Sequence, residues 1–219
     1  MVYNIAIDGP AGAGKSTIAR LLAHTLNVAY LDTGAMYRCL GLKVIQHDIN
    51  INDTQQINDL LANTDIRIEN NGKRQLIFLD GKDVSTDIRA HAVSNMASEV
   101  SANEQVRIAM AQKQREMAAL ANCVLEGREI GTYVLPNAKY KFFLTASVDI
   151  RTQRRFNQLT ATGQTVDYNQ LRADIILRDT KDATRPVAPL RCAEDAIKID
   201  SSHLTIEQVI ELMLTYIKE

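Results

Sequence analysis

The sequence predicts an α/β fold: a parallel sheet of five short strands with helices on both faces. Three observations carry this. Five short apolar runs rich in β-branched residues recur along the chain, stretches with helical spacing separate them, and the first run leads into a glycine-rich loop followed by an amphipathic helix.

Residues 2–7 form the first apolar run and stop at Asp8-Gly9-Pro10, which reads as a buried strand meeting a turn. Ile18, Leu21, Leu22 and Leu26 then fall on one helical face. Residues 28–31 give a second strand, closed by Asp32-Thr33-Gly34, and residues 35–46 return to a helical pattern. Asp53 is placed to cap a helix through Leu61, with Gln56 in the capping-box position. Residues 66–69 and 75–80 flank Asn71-Gly72, a hairpin signal. This antiparallel signal interrupts the strand–helix alternation, so roughly residues 50–90 read as part of an inserted subdomain. Residues 90–120 are rich in alanine and mostly helical. Residues 123–125 form a strand ending at Glu126-Gly127-Arg128, and residues 140–144 form another. Ser147 caps a helix carrying Arg151, Arg154 and Arg155. A loop at Ala161-Thr162-Gly163 precedes a helix over 168–180. Residues 196–199 form the last strand, and Thr205 with Gln208 makes a capping box for a C-terminal helix.

The 219 residues suit one core domain with insertions. Lys and Arg total 25 against 26 Asp and Glu, so no global charge draws the chain to nucleic acid or to an acidic membrane. Any anion site must be local. Cys39, Cys123 and Cys192 are odd in number and widely spaced, which suggests neither a disulfide framework nor a zinc site. No leader and no apolar run of membrane-spanning length is read, so the expectation is a soluble, cytoplasmic protein.

Gly9-Pro10-Ala11-Gly12-Ala13-Gly14-Lys15-Ser16 matches G-x-x-x-x-G-K-[ST] between a strand and a helix. Glycines let the backbone turn several N–H groups onto one phosphate, and the helix N-terminus adds partial positive charge. Lys15 is expected to reach the β- and γ-phosphates of ATP, and the Ser16 hydroxyl to ligate Mg²⁺.

The loop alone does not separate kinases from switches and ATPases. No N-K-x-D stretch of a guanine-binding switch is present, whereas arginines gather where phosphoryl transfer needs them. Arg38 follows the second strand and Arg128 the third. Arg151, Arg154 and Arg155 share one helical stretch, while Arg178 and Arg185 bracket the last loop. Each arginine taken alone reads as a solvated surface charge. Placement beyond strand ends, where doubly wound folds bind ligands, favours bidentate phosphate contacts. Arg151, Arg154 and Arg155 at helical spacing suggest a hinged basic lid.

Beyond the loop, Leu31-Asp32-Thr33-Gly34-Ala35-Met36-Tyr37-Arg38 and Glu126-Gly127-Arg128-Glu129-Ile130-Gly131-Thr132 stand out. So do the Arg154-Arg155 pair and Arg185-Pro186-Val187-Ala188-Pro189-Leu190. Together with the loop and Thr17, these stretches resemble the cytidylate kinases, nearly end to end. The resemblance implies a P-loop NTPase fold that transfers the γ-phosphoryl group of ATP to CMP or dCMP. It implies a core (about 1–34, 103–148 and 186–219), a monophosphate-binding insertion with a small antiparallel sheet (about 35–102) and a helical lid (about 149–185). It places Thr33, Tyr37, Arg38 and Arg128 toward the acceptor, with Ser98, Arg107 and Glu129 at the cytosine edge. Asp182 and Arg185 fall near sugar and phosphate; Arg154, Arg155 and Arg178 serve the transferred group or ATP. It also implies a monomer without nucleic-acid or membrane partners. The family pattern has aspartate where this chain has Glu129, so the cytosine contact is expected either through a shifted rotamer or through water. Glu126 and Asp32 can each hold a water on Mg²⁺, or cap and pack locally.

Three other readings stay open at this stage. One is a kinase of the same core acting on UMP or a metabolite alcohol. Another is a transferase acting on tRNA, since isopentenyl transferases carry a stretch like that from Asp32 to Arg38; balanced charge argues against it. The last is a non-catalytic nucleotide-binding module.

Overall fold

The computed structural model describes residues 2–70, 75–161 and 163–217. Strands β1 (Asn4–Asp8), β2 (Ala29–Asp32), β6 (Cys123–Gly127), β7 (Tyr140–Thr145) and β8 (Ile197–Asp200) form one sheet in the order β2-β6-β1-β7-β8. Every pairing in it is parallel. β1 sits at the centre, and Ile5, Ala6 and Ile7 have no exposed surface. A continuous apolar run suits this place because both of its faces are covered. The pairings Asp8↔Gly127 and Asp32↔Glu126 bring the carboxyl ends of β1, β2 and β6 level with one another.

Helices α1 (Lys15–Leu26) and α8 (Ile206–Ile217) cover one face, packing Ile18, Leu22, Val209 and Met213 against Ile5, Ile7, Phe142 and Leu144. The other face carries α5 (Glu104–Ala118) and a short π-helix over Ile130–Val134. There Ala111, Ala118, Ile130 and Val134 pack on Ala6, Leu31 and Leu125. Burying each large side chain of this kind contributes about 1.5–3 kcal/mol. The expected capping box on α8 is complete. Gln208 N–H donates to Thr205 Oγ1 (3.2 Å), and Thr205 N–H donates to Gln208 Oε1 (2.8 Å).

A second apolar core lies outside the sheet. Helices α2 (Thr33–His47), α3 (Thr54–Ala62) and α4 (His91–Val100) enclose Met36, Leu40, Ile57, Val93 and Val100. A three-stranded antiparallel sheet, β3 (Ile66–Asn70), β4 (Gln75–Leu79) and β5 (Lys82–Asp83), adds Ile66, Ile77 and Leu79. Gly41 lets α2 and α4 touch backbone to backbone: a Cβ there would lie 2.7 Å from Ala97 N. Helices α6 (Val148–Thr160) and α7 (Tyr168–Thr184) share a third, smaller cluster, Leu159, Leu171 and Ile175.

Local differences from expectation have physical reasons. α2 begins at Thr33 with no intervening loop, because Asp32 caps it by accepting from Ala35 N–H at 2.9 Å. Asp53 caps α3 as expected, but Gln56 turns its oxygen to Asn50 N–H (2.8 Å) because Asp53 N–H is already bonded to Asn50 O. The capping box there is therefore not reciprocal. Asn71-Gly72 and Thr162 lie outside the described residues. A second hairpin turn, Asp80-Gly81, joins β4 to β5 with φ of 50° and 81°, the left-handed pair that a tight two-residue turn requires.

Candidate active site

The phosphate loop begins where β1 ends. Gly9 has φ +148°, and a Cβ there would fall 1.9 Å from Leu144 O, so only glycine fits against β7. Gly14, at φ 93°, is the N-cap of α1. Lys15, in the first turn of that helix, is buried and donates from Nζ to Pro10 O at 2.8 Å. Burial first, and then the nearby Arg128 charge, push its ammonium down to about 7; the carboxylates of Glu126, Asp182 and Asp8 pull the other way. Beside it, Glu126 ends β6 as a buried carboxylate. It accepts hydrogen bonds from the Tyr30 and Ser16 hydroxyls. Burial, reinforced by Asp32, raises its pKa.

Next to the loop, side chains from α5, from the end of α7 and from the residues just past β6 form a chain of alternating charge. Arg128, just past β6, donates from Nε to Asp182 Oδ2 (3.0 Å). Asp182, in the last turn of α7, also pairs with Arg185 Nη1 (3.2 Å). Arg185 Nη2 pairs with Glu129 Oε2 (2.8 Å), and Glu129 Oε1 accepts from Arg107 on α5. Glu129 is 5% exposed and Arg107 2%, so water does little to screen this pair. Burial would raise the Asp182 carboxyl, but Arg128, Arg185 and Arg178 together hold it below the ordinary value. Arg185 is steadied further by Ala188 O, which accepts from its Nε at 2.8 Å. Arg107 lies over the Tyr37 ring, 5.6 Å from its centroid. A separate pair, Arg38–Asp32 at 2.7 Å, stands at the start of α2.

The arginines of α6 divide. Arg151 is buried, donating to Ala146 O (2.9 Å) and Ala11 O (3.1 Å) and pairing with Asp179 (2.6 Å). It therefore does not join Arg154 and Arg155 on an open basic face; the phosphate loop and α7 cover its part of the helix. Arg154 donates to Ser201 O (2.7 Å) and Arg155 to Gln158 (2.7 Å). Burial and then the neighbouring Arg128 lower Arg178 to about 10.

One cleft of about 1330 Å³ runs past most of these groups, though not past Arg151 and Asp179. Among the residues singled out from sequence, Ala11 to Thr17, Thr33, Tyr37, Arg38, Ser98, Arg107, Arg128, Glu129, Arg154, Arg155, Arg178, Asp182 and Arg185 line it. Gly9 and Pro10 do not; they shape the loop from beneath. Thr33 contributes wall rather than a free hydroxyl, since its Oγ1 donates to Glu126 O at 2.6 Å. Tyr30 and Lys181 also line the cleft, and sequence reasoning missed both. Lys181 follows Arg178 by three residues on a helix, a spacing that could have flagged it. Among the described residues no cluster of three His, Cys, Asp or Glu side chains could cage a metal, and no helix is long and apolar enough to cross a membrane.

The cytidylate kinase family model matches residues 5–219. A cytidylate kinase of Caldicellulosiruptor saccharolyticus is 51% identical over 211 residues, covering 96% of this chain and 93% of its own. That of Pediococcus pentosaceus is 45% identical over 216 residues, covering 99% and 96%. Among solved structures, an uncharacterized protein from Eubacterium ventriosum covers 100% of this chain and 99% of its own, with a TM-score of 0.54 at 15% identity, and so shares the fold.

Proposed function

The chain belongs to the cytidylate kinase family, and from that premise we propose how its cleft works. The enzyme transfers the γ-phosphoryl group of ATP to CMP or dCMP, giving CDP or dCDP. The observation that best supports a division of labour is the ion-paired chain from Arg128 to Arg107 lying directly beside the phosphate loop.

ATP is held at the loop. Backbone N–H groups of Gly12 to Ser16 and the start of α1 face its phosphates, and Lys15 leaves Pro10 O for the β- and γ-oxygens. Ser16 would ligate Mg²⁺, with Glu126 and its register neighbour Asp32 as candidates to hold water on it; the bond between Glu126 and the Ser16 hydroxyl is what supports the fit. The bound ion supplies neutralising charge across the donor phosphates.

Arg38 and Arg128 take the acceptor phosphate, whose oxygen attacks Pγ as ADP leaves. Arg154, Arg155 and Arg178 meet the charge spread over the transferred group. A loose phosphoryl transition state needs such positioned charge more than it needs covalent help. Asp182 and Arg185 serve the sugar and phosphate. Ser98, Arg107 and Glu129 read the base: cytosine presents an amino donor where uracil presents an oxygen, and a carboxylate accepts from the first and repels the second. Tyr37 packs beneath Arg107.

This reading divides the chain into a core (about 1–34, 103–148 and 186–219), an acceptor-binding insertion (about 35–102) and a lid (about 149–185). The small apolar cluster shared by α6 and α7 supports a lid that moves and excludes water. Closure around two small substrates supports a monomer, and the free cysteines suit the reducing cytosol. A coupled assay with ATP and CMP, dCMP, UMP or AMP tests the base assignment. A cytidine preference is expected; equal rates with UMP would overturn it.

A further inference from the structure

We infer that Asp8 is a positioning residue for the acceptor site, fixing from the central strand where Arg128 and Glu129 point. Asp8 is the last residue of β1 and is 4% exposed. It does not line the cleft. Its two carboxylate oxygens accept from Ile130 N–H and Gly131 N–H, each at 2.7 Å.

Those amides open the π-helix that follows Glu129. The residue in the N-cap position, Glu129 itself, makes no side-chain cap bond, because both of its oxygens face arginines. A helix start leaves N–H groups without intrahelical partners, and a buried one needs acceptors. Here a carboxylate from a neighbouring strand supplies them, aided by the partial positive charge of the helix start. Gly131 permits the close approach: a Cβ there would lie 3.3 Å from Asp8 Oδ2 and 3.2 Å from Lys141 Cδ. π-helices are rare and occur mainly at functional sites. This one hangs directly on the Arg128-Glu129 pair, since Tyr133 and Val134 N–H both return to Glu129 O.

The placement joins two functions in one residue. The backbone of Asp8 runs straight into Gly9 and the phosphate loop, while its side chain holds the segment carrying the acceptor-side charges. Its register partner in the sheet is Gly127, so the reach is short. Burial pushes its carboxyl up to about 6, against the lowering effect of the two amides. That leaves it ionised at neutral pH, where its bonds to the amides are charge-assisted.

The inference rests on the reading that Arg128 and Glu129 serve the acceptor, and the test separates the two. Asp8→Asn keeps the shape but sets an amide NH₂ against one of the two N–H groups. The CMP KM is expected to rise about tenfold or more, roughly one charge-assisted bond, while the ATP KM stays within about threefold. Equal losses for both substrates, which a purely structural role would give, or no loss for either, overturn the inference. If Arg128→Ala raises the CMP KM and Asp8→Asn does not, Asp8 alone is misassigned. If Arg128→Ala leaves it unchanged, the acceptor reading itself fails. Should Asp8→Asn not fold, amide exchange in the wild-type enzyme decides: slow exchange at Ile130 and Gly131 is expected, and exchange as fast as in exposed loops overturns the inference.

Discussion

On the proposed assignment of donor and acceptor, the two halves of the cleft are built on opposite principles. The donor half is main chain: three spaced glycines, a helix start and one buried lysine, all within the stretch from Gly9 to Ser16. The acceptor half is side chain: guanidinium and carboxylate groups from α5, the end of α7 and the residues just past β6 that hold one another in place. A backbone cradle recognises any phosphate chain, because every residue of the loop except Pro10 offers the same N–H. A lattice of paired charges recognises one outline, because each member is fixed by the next. The difference teaches where generality and selectivity reside in this enzyme.

Substitutions should break the two halves differently. Lys15→Ala is expected to have the largest effect, lowering kcat on the order of 10³-fold with CMP binding retained, in steady-state assays paired with CMP titration. Arg107→Ala comes next. It leaves Glu129 buried with Arg185 as its remaining ion-pair partner, and losing one member of a buried pair costs about 3–5 kcal/mol. The CMP KM should rise about 100-fold and the melting temperature should fall, while the ATP KM holds; an unchanged CMP KM would remove Arg107 from the base site.

A pH titration sharpens the comparison without mutation. Lys15 loses its proton near 7 in the free enzyme, whereas the ATP polyanion favours the charged form. Binding above that pH must therefore take up a proton, and affinity should fall about fivefold between roughly pH 7 and 8, approaching about tenfold per unit above that. Calorimetry of a non-hydrolysable ATP analogue, in buffers of different ionisation enthalpy, measures the uptake directly. Lys15→Arg, which keeps its charge, should abolish the part due to the lysine, and CMP binding should show no such dependence. Ser98→Ala should give the smallest effect, about a threefold to tenfold rise in CMP KM, the size of one neutral hydrogen bond.

The same contrast explains what could be read from the sequence. The phosphate loop is local, so eight adjacent residues disclosed it with its strand and helix. The strand–helix alternation, the caps on α6 and α8 and the separate antiparallel hairpin also follow from short-range patterns. Arg128 and Asp182 lie 54 residues apart, and nothing at either position announces the other. The carboxylate of Glu129 was legible; the capture of both its oxygens by arginines was not, because that depends on how α5 and α7 pack. Arg151 shows the limit of periodicity: spacing gives the face of a helix but not what covers it. Asp8 read as a strand stop, since its partners come from a π-helix that no simple repeat foretells.

The contact at Gly41 sets a dimension. Glycine inside a helix costs about 1 kcal/mol relative to alanine, and here it lets α2 and α4 meet backbone to backbone at one point. At that point backbone meets backbone with nothing to compress or repack, so the two helices act there as a calliper of fixed span. On the acceptor reading, Arg38 stands at one jaw and Ser98 at the other, one gripping phosphate and the other base. The enzyme would then gauge the length of its acceptor as well as its hydrogen-bonding edge. A nucleotide with a larger base or an extra phosphate would be rejected by span, before any question of chemistry arises.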